Sequence, residues 1–243
     1  MHSSGNRWRM MKIFRYALVI LGLTLMSSHA YSQSYIAYDL STGVPPPPAY
    51  TGNQAFGGTV GMQFDVNAAA IRITSLGVFD SKGDGFHNTI TAYIFNRDTQ
   101  ALVASVPFNG SADTLVGYNR FKTVGNLILN QGHYIIAAGG FSSADPLGNV
   151  AFGNGFIADT FDSGVGAISA VGDGVYADDF AGPGAFPNHS QGGSGSLAFN
   201  AGTFTYSLYV PEPGSVALMM GMISMGGSLT YRRARLRITK KSV

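Results

Sequence analysis

The chain has 243 residues, of which 45% are hydrophobic and only 12% charged, with no cysteine and a formal net charge of +2. Without cysteine there is no disulfide scaffold, no thiolate metal site and no cysteine nucleophile. Ser32–Tyr209 holds only Arg72, Lys82, Arg97, Arg120 and Lys122 against twelve aspartates; this acidic body has no basic stripe for phosphate contacts, which excludes a nucleic-acid partner.

The first element is a secretory signal peptide over 1–31. Arg7, Arg9, Lys12 and Arg15 form a positive n-region, Tyr16–Met26 is apolar, and Ser28-His29-Ala30 or Ala30-Tyr31-Ser32 supplies small residues at the cleavage spacing. Export by the Sec machinery with cleavage by signal peptidase is therefore expected, leaving 32–209 as one domain large enough for a full core.

Strand periodicity dominates that domain. Pro45–Pro48 reads as a stiff extended lead-in. Thr59–Val66, Ile71–Phe79, Thr89–Phe95, Leu102–Phe108, Tyr118–Val124, His133–Ala138 and Ala198–Tyr209 are the clearer strands. In Thr89–Phe95, Ile90, Ala92 and Ile94 share one face; in His133–Ala138, Tyr134, Ile136 and Ala138 do. Turn residues fill the gaps, as in Asn96-Arg97-Asp98, Asn109-Gly110 and Asn130-Gln131-Gly132. Short strands at roughly 8–12-residue spacing predict an all-β fold, an antiparallel β-sandwich or jelly roll. Asp159–Gly195 is rich in Gly, Ala and Asp and reads as long loops with one or two short strands.

Candidate sites are few. Asp80-Ser81-Lys82-Gly83-Asp84-Gly85 has aspartates four apart and a glycine at the bend. Lys82 and Thr91 stand where an EF-hand needs oxygen ligands, so the loop is read as an Asp/Gly turn, with a weak calcium site at Asp80 and Asp84 as the alternative. Gly172-Asp173-Gly174 with Asp178-Asp179 is a second such loop. His87, His133 and His189 lie in separate segments without the spacing of a metal triad. Gly192-Gly193-Ser194-Gly195-Ser196 breaks the nucleophile-elbow pattern at its last position. No catalytic residue and no cofactor is expected. Tyr35, Tyr38, Tyr50, Tyr93, Tyr118, Tyr176 and Phe186 are read as core in preference to a sugar-stacking face.

The last 34 residues carry the most information. Val210-Pro211-Glu212-Pro213 is extended, because proline disfavours helix in itself and before it. Gly214–Tyr231 is an uncharged apolar run that meets the roughly 18-residue threshold of a transmembrane helix. Arg232, Arg233, Arg235, Arg237, Lys240 and Lys241 form a basic tail in 232–243 that holds its end in the cytoplasm. Glu212 is the only glutamate in the chain. Motif, span and basic tail in this order resemble the PEP-CTERM sorting signal of bacterial surface proteins. The resemblance covers 210–243 and implies recognition by an exosortase-type membrane protease, after transient anchoring in the inner membrane, with release or attachment at the cell surface. It also implies a setting of exopolysaccharide-producing Gram-negative bacteria.

A weaker resemblance lies in the body. Asn53-Gln54-Ala55-Phe56-Gly57-Gly58, Gly61-Met62-Gln63-Phe64-Asp65-Val66, Ser75-Leu76-Gly77-Val78-Phe79-Asp80 and Ala201-Gly202-Thr203-Phe204 are similar to an uncharacterised extracellular β module of secreted bacterial proteins, which implies no activity. The expectation is a secreted, non-catalytic surface or extracellular-matrix protein, associated with exopolysaccharide or binding carbohydrate. The alternative is a polysaccharide- or ester-cleaving hydrolase using aspartates of Asp159–Gly195.

Overall fold

A computed structural model describes residues 33–40, 45–149, 159–193, 195 and 197–209, all within the compact unit Ser32–Tyr209. The signal peptide at 1–31, the motif Val210–Pro213, the span 214–231 and the basic tail 232–243 lie outside the described residues. Among the described residues there is no α-helix, and every strand pairing is antiparallel. The fold is all-β.

In chain order the strands are β1 (Tyr35–Ile36), β2 (Tyr38–Leu40), β3 (Thr59–Phe79), β4 (Phe86–Asn96), β5 (Leu102–Gly110), β6 (Thr114–Val116) and β7 (Asn119–Gly139). They continue with β8 (Gly148–Asn149), β9 (Asp159–Phe161), β10 (Ile168–Tyr176), β11 (His189–Ser190), β12 (Phe199–Asn200) and β13 (Gly202–Leu208). A nine-stranded sheet runs β1-β13-β3-β7-β4-β5, with β10 also on β3, β11 on β10 and β6 on β7; β12-β8 and β2-β9 form two small sheets.

The two 21-residue strands β3 and β7 correct the expectation of uniformly short strands. Thr59–Val66 and Ile71–Phe79 are one strand, and so are Tyr118–Val124 and His133–Ala138, apart from Tyr118, which lies in the preceding turn. The pairing runs from Thr59↔Gly139 to Phe79↔Asn119, interrupted between Val66 and Ala70 and between Ile73 and Ser75. At the first slip Asn67-Ala68-Ala69 lies opposite Gln131; at the second, Thr74 lies opposite Val124-Gly125-Asn126. The two bulges have opposite sense, so the register recovers while the ladder bends. The amides of Asn67 and Ala68 are not orphaned, since both donate to the Ala167 carbonyl at 2.8 and 3.1 Å.

Bending lets the two halves of β3 bury one core. Val60, Met62, Phe64 and Val66 are buried on the first half, Ile71 and Ile73 beyond the first bulge, and Leu76 and Val78 beyond the second. The parity changes at each bulge, which keeps the apolar face inward. Phe64 meets Phe204 of β13 at 4.9 Å between ring centroids, although Phe204 is in register with Leu76. The sheet therefore faces itself across the core. Each such fully buried side chain contributes about 1.5–3 kcal/mol.

The outer face of β4, β7 and β10 carries a second cluster, made of Tyr93, Phe95, Ile135, Ala137 and Val175 with Phe186 against it. Both faces of Tyr134–Ala138 are thus covered, and all five residues are buried. Asp159–Gly195 is also more regular than expected, because the nine-residue β10 pairs with β3 through Ile168–Val171 and again at Val175 and Tyr176. Its composition hides this strand: Gly172-Asp173-Gly174 forms a bulge opposite Met62, with Gly172 at φ +65.

Candidate functional site

The Asp80–Gly85 loop follows the end of β3. Asp80 is buried, and its carboxylate accepts the Gly85 N–H and the Arg120 Nε–H. The Arg120 and Asp80 side chains are 6% and 1% exposed. Arg120 also donates to the carbonyls of Ser111 at 2.8 Å, Asp113 at 2.9 Å and Gly83 at 3.0 Å. Burial raises the Asp80 carboxyl above its ordinary value, while the hydrogen bond and charge of Arg120 pull it down. Asp84 and Lys82 are exposed. The two candidate calcium ligands share one loop, but the guanidinium already occupies Asp80. Sequence reasoning missed Arg120, because its closeness to Asp80 comes from the Val78↔Arg120 register of two distant strands.

The three body histidines each face a different aspartate. His87 Nδ1 lies 2.9 Å from Asp145, whose carboxylate also accepts the N–H groups of His87 and Asn88. That hydrogen bond, then the Asp145 charge, raises the His87 pKa above 6.5. His133 Nδ1 is 3.1 Å from Asp98, and His189 Nε2 is 3.3 Å from Asp178. Among the described residues no group of three or more His, Cys, Asp or Glu is placed to hold a metal ion. The loop carboxylates accept backbone N–H groups: Asp162 from Gly164 within its own turn at 2.9 Å, and, between segments, Asp179 from Gly58 and Asp173 from Gly195, each at 3.0 Å.

The aromatic candidates separate by depth. Tyr35, Tyr38, Tyr93 and Tyr118 are buried. Tyr50 packs edge-on against Phe79 and Tyr118, and Phe186 edge-on against Phe95. Tyr176, of this set, lines a concavity, and sequence reasoning did not foresee the rest of its lining.

That concavity is a cavity of about 250 Å³ lined by Gln54, Phe56, Val60, Asn149, Tyr176, Gln191 and Phe199. No lining residue is charged. Buried Val60 and Phe199 are apolar contributors, and the Phe56 ring stands edge-on to Tyr176 at 6.3 Å. Tyr176 is backed by His189, stacked at 5.3 Å. Gly174 admits the Phe199 ring, since a Cβ there would lie 2.7 Å from its edge.

Backbone pairing sets the polar wall. Gln54 and Leu147 exchange backbone hydrogen bonds of 3.1 and 2.9 Å, and Asn149 pairs with Phe199. The Asn53 side chain grips the Asn149 backbone from both sides, accepting its N–H and donating to its carbonyl, each at 2.8 Å. Gln191 is held by its N–H to the Gly174 carbonyl at 2.8 Å. The three side-chain amides then form a directed relay: Gln191 Nε2 donates to Asn149 Oδ1 at 3.2 Å, and Asn149 Nδ2 donates to Gln54 Oε1 at 2.8 Å. At one end of the relay, Gln191 Oε1 is buried and has no hydrogen-bond partner among the described residues.

No family model, curated protein or solved structure matches the chain.

Proposed function

We propose that this is a secreted, non-catalytic surface or extracellular-matrix protein that associates with carbohydrate. Its N-terminal 1–31 directs export through the Sec machinery and is removed by signal peptidase. The body is a β-sandwich-type module made from the two facing halves of one bent sheet. The span 214–231 holds it briefly in the inner membrane, and an exosortase-type protease acts at Val210–Pro213. The order of motif, apolar run and basic tail supports the sorting route. The observation that carries the binding role is the uncharged amide-and-aromatic cavity of the body, whose lining matches small-molecule sites in which a few polar groups orient a ligand against apolar walls.

Intact-mass measurement of the protein recovered from the envelope of an exosortase-competent host tests the sorting route. The mature C-terminus is expected near 210–214, and Glu212→Ala is expected to leave 214–243 attached. A mature species still carrying Arg232–Lys241 refutes it. The non-catalytic reading is tested separately, by incubating the protein with polysaccharides and esters: release of product refutes it.

A further inference from the structure

Three segments meet at the end of the body from which the chain continues at 210. In the first bulge of β3, Asn67 and Ala68 bond the Ala167 carbonyl through their N–H groups, and the Asn67 side chain donates to the Gly166 carbonyl at 3.3 Å. The Ala70 carbonyl accepts the N–H of Tyr209, the last described residue, at 3.2 Å. The Tyr206 hydroxyl donates to the Asp162 carbonyl at 2.8 Å, which ties β13 to the turn between β9 and β10.

This end exposes apolar side chains. Val165, in that turn, is 88% exposed, and Leu208 is 42% exposed. Single exposed apolar residues need no explanation, but Val165 also stands at φ +62, between Gly164 at +53 and Gly166 at +85. A left-handed turn favours Gly, Asn or Asp, and a β-branched residue there is a genuine outlier. Strain of this kind clusters at functional positions, and burial does not offset it here. Beside these residues the Arg72 guanidinium lies over the Tyr209 ring, 5.4 Å from its centroid. Tyrosine and arginine each join an apolar body to a polar tip, and both suit the boundary between lipid headgroups and water.

The length of chain beyond Tyr209 identifies what meets this end. Only 210–213 separate Tyr209 from the apolar run 214–231. An extended chain spans at most about 3.6 Å per residue, so Tyr209 stays within roughly 18 Å of the point where the run enters hydrocarbon. The headgroup layer takes up roughly 5–8 Å of that distance. The tether therefore keeps this end within about 10–13 Å of the headgroups. Contact with them becomes intramolecular, so two apolar side chains suffice where they would not hold a free protein. Arg72 and the exposed Asp162 carry opposite charges, so the contact does not require an anionic lipid.

We infer that the end of the body carrying Val165, Leu208, Tyr209 and Arg72 is a lipid-docking surface, seated on the headgroups of the bilayer that 214–231 enters. Val165 and Leu208 supply the apolar contact, and the Arg72–Tyr209 pair lies among the headgroups. This rests on the membrane-held stage of the reading above and adds the orientation of the body during that stage.

Fluorescence quenching on the full chain tests it. The protein is made in a host with signal peptidase and no exosortase, then reconstituted in phosphatidylcholine vesicles. The chain has no cysteine, so single labels can be placed at will. Ala69→Cys reports on the bulge, and Met222→Cys on the apolar run. Lys82→Cys lies past Phe79, which is roughly 30 Å of strand from Ala70. A headgroup nitroxide lipid is expected to quench the Ala69 label and to leave the Lys82 label bright. An acyl-chain nitroxide lipid is expected to quench the Met222 label. Val165→Asn suits the left-handed backbone, so it is expected to keep or raise the melting temperature while losing most of the Ala69 quenching. Leu208→Thr is the second variant if Val165→Asn fails to fold.

A quenched Met222 label with equal signals at Ala69 and Lys82 overturns the docking surface alone. Ala69 quenching that neither variant reduces also overturns it, since the tether by itself would then account for the proximity. An unquenched Met222 label refutes the inserted span, and the docking surface falls with it.

Discussion

Replacing Arg120 by Met tests the account of the Asp80 loop. The substitution keeps the aliphatic stem but removes the guanidinium from a carboxylate whose side chain is 1% exposed. It also strips the hydrogen bonds from the carbonyls of Ser111, Asp113 and Gly83. Breaking a buried ion pair by removing one partner costs about 3–5 kcal/mol, because the remaining charge stays uncompensated. For a domain of this size a loss of 1 kcal/mol lowers the melting temperature by about 2–4 °C, so a fall of roughly 10–15 °C is expected by calorimetry or circular dichroism. The penalty must depend on pH. Burial already raises the Asp80 carboxyl, with Arg120 opposing the rise. Without Arg120 its folded-state pKa rises further above the unfolded value, so the variant's deficit grows as pH rises through that pKa and shrinks in acid. Adding Asp80→Asn should recover much of the loss, which a double-mutant cycle measures. The reasoning is refuted if Arg120→Met costs no more than Lys82→Ala, an exposed substitution expected to stay within about 0.5 kcal/mol, or costs the same when Asp80 is Asn.

Other expectations follow from the same structure. Millimolar calcium should leave the melting temperature unchanged, since Arg120 already occupies Asp80; a rise abolished by Asp84→Ala would restore the calcium reading, with up to about 2.7 kcal/mol at a hundredfold excess over Kd. His87 should titrate above 6.5 by NMR and move back toward that value in Asp145→Asn. With its folded pKa raised, the His87–Asp145 contact contributes fully below the unfolded pKa and loses that contribution as pH rises through the folded one; a His87 pKa indifferent to Asp145→Asn would refute the assignment. Asn200 is 3% exposed, and among the described residues neither atom of its amide has a hydrogen-bond partner. Asn200→Leu should therefore be neutral or stabilising in thermal melts, and a loss above about 2 kcal/mol would show that the amide is satisfied in solution.

The sequence by itself determined the all-β class and much of the core. In an extended chain side chains alternate between faces whatever the partner, so Ile90, Ala92 and Ile94 on one side and Tyr134, Ile136 and Ala138 likewise could be assigned from spacing alone, and all six lie in the main core. Strand length was a different matter. Asn130-Gln131-Gly132 carries turn chemistry and read as a break, and the segments Thr59–Val66 and Ile71–Phe79 read as separate strands either side of Asn67-Ala68-Ala69. Only the neighbouring strands and the Ala167 carbonyl, which bonds both bulge amides, keep these residues inside continuous ladders. The same limit governs the sites. Asp80 and Arg120 are 40 positions apart, and Asn149 is 95 from Gln54 and 42 from Gln191. No local pattern marks them, because an ion pair or amide relay across a bent sheet depends on register, and register is decided where two distant segments exchange backbone hydrogen bonds.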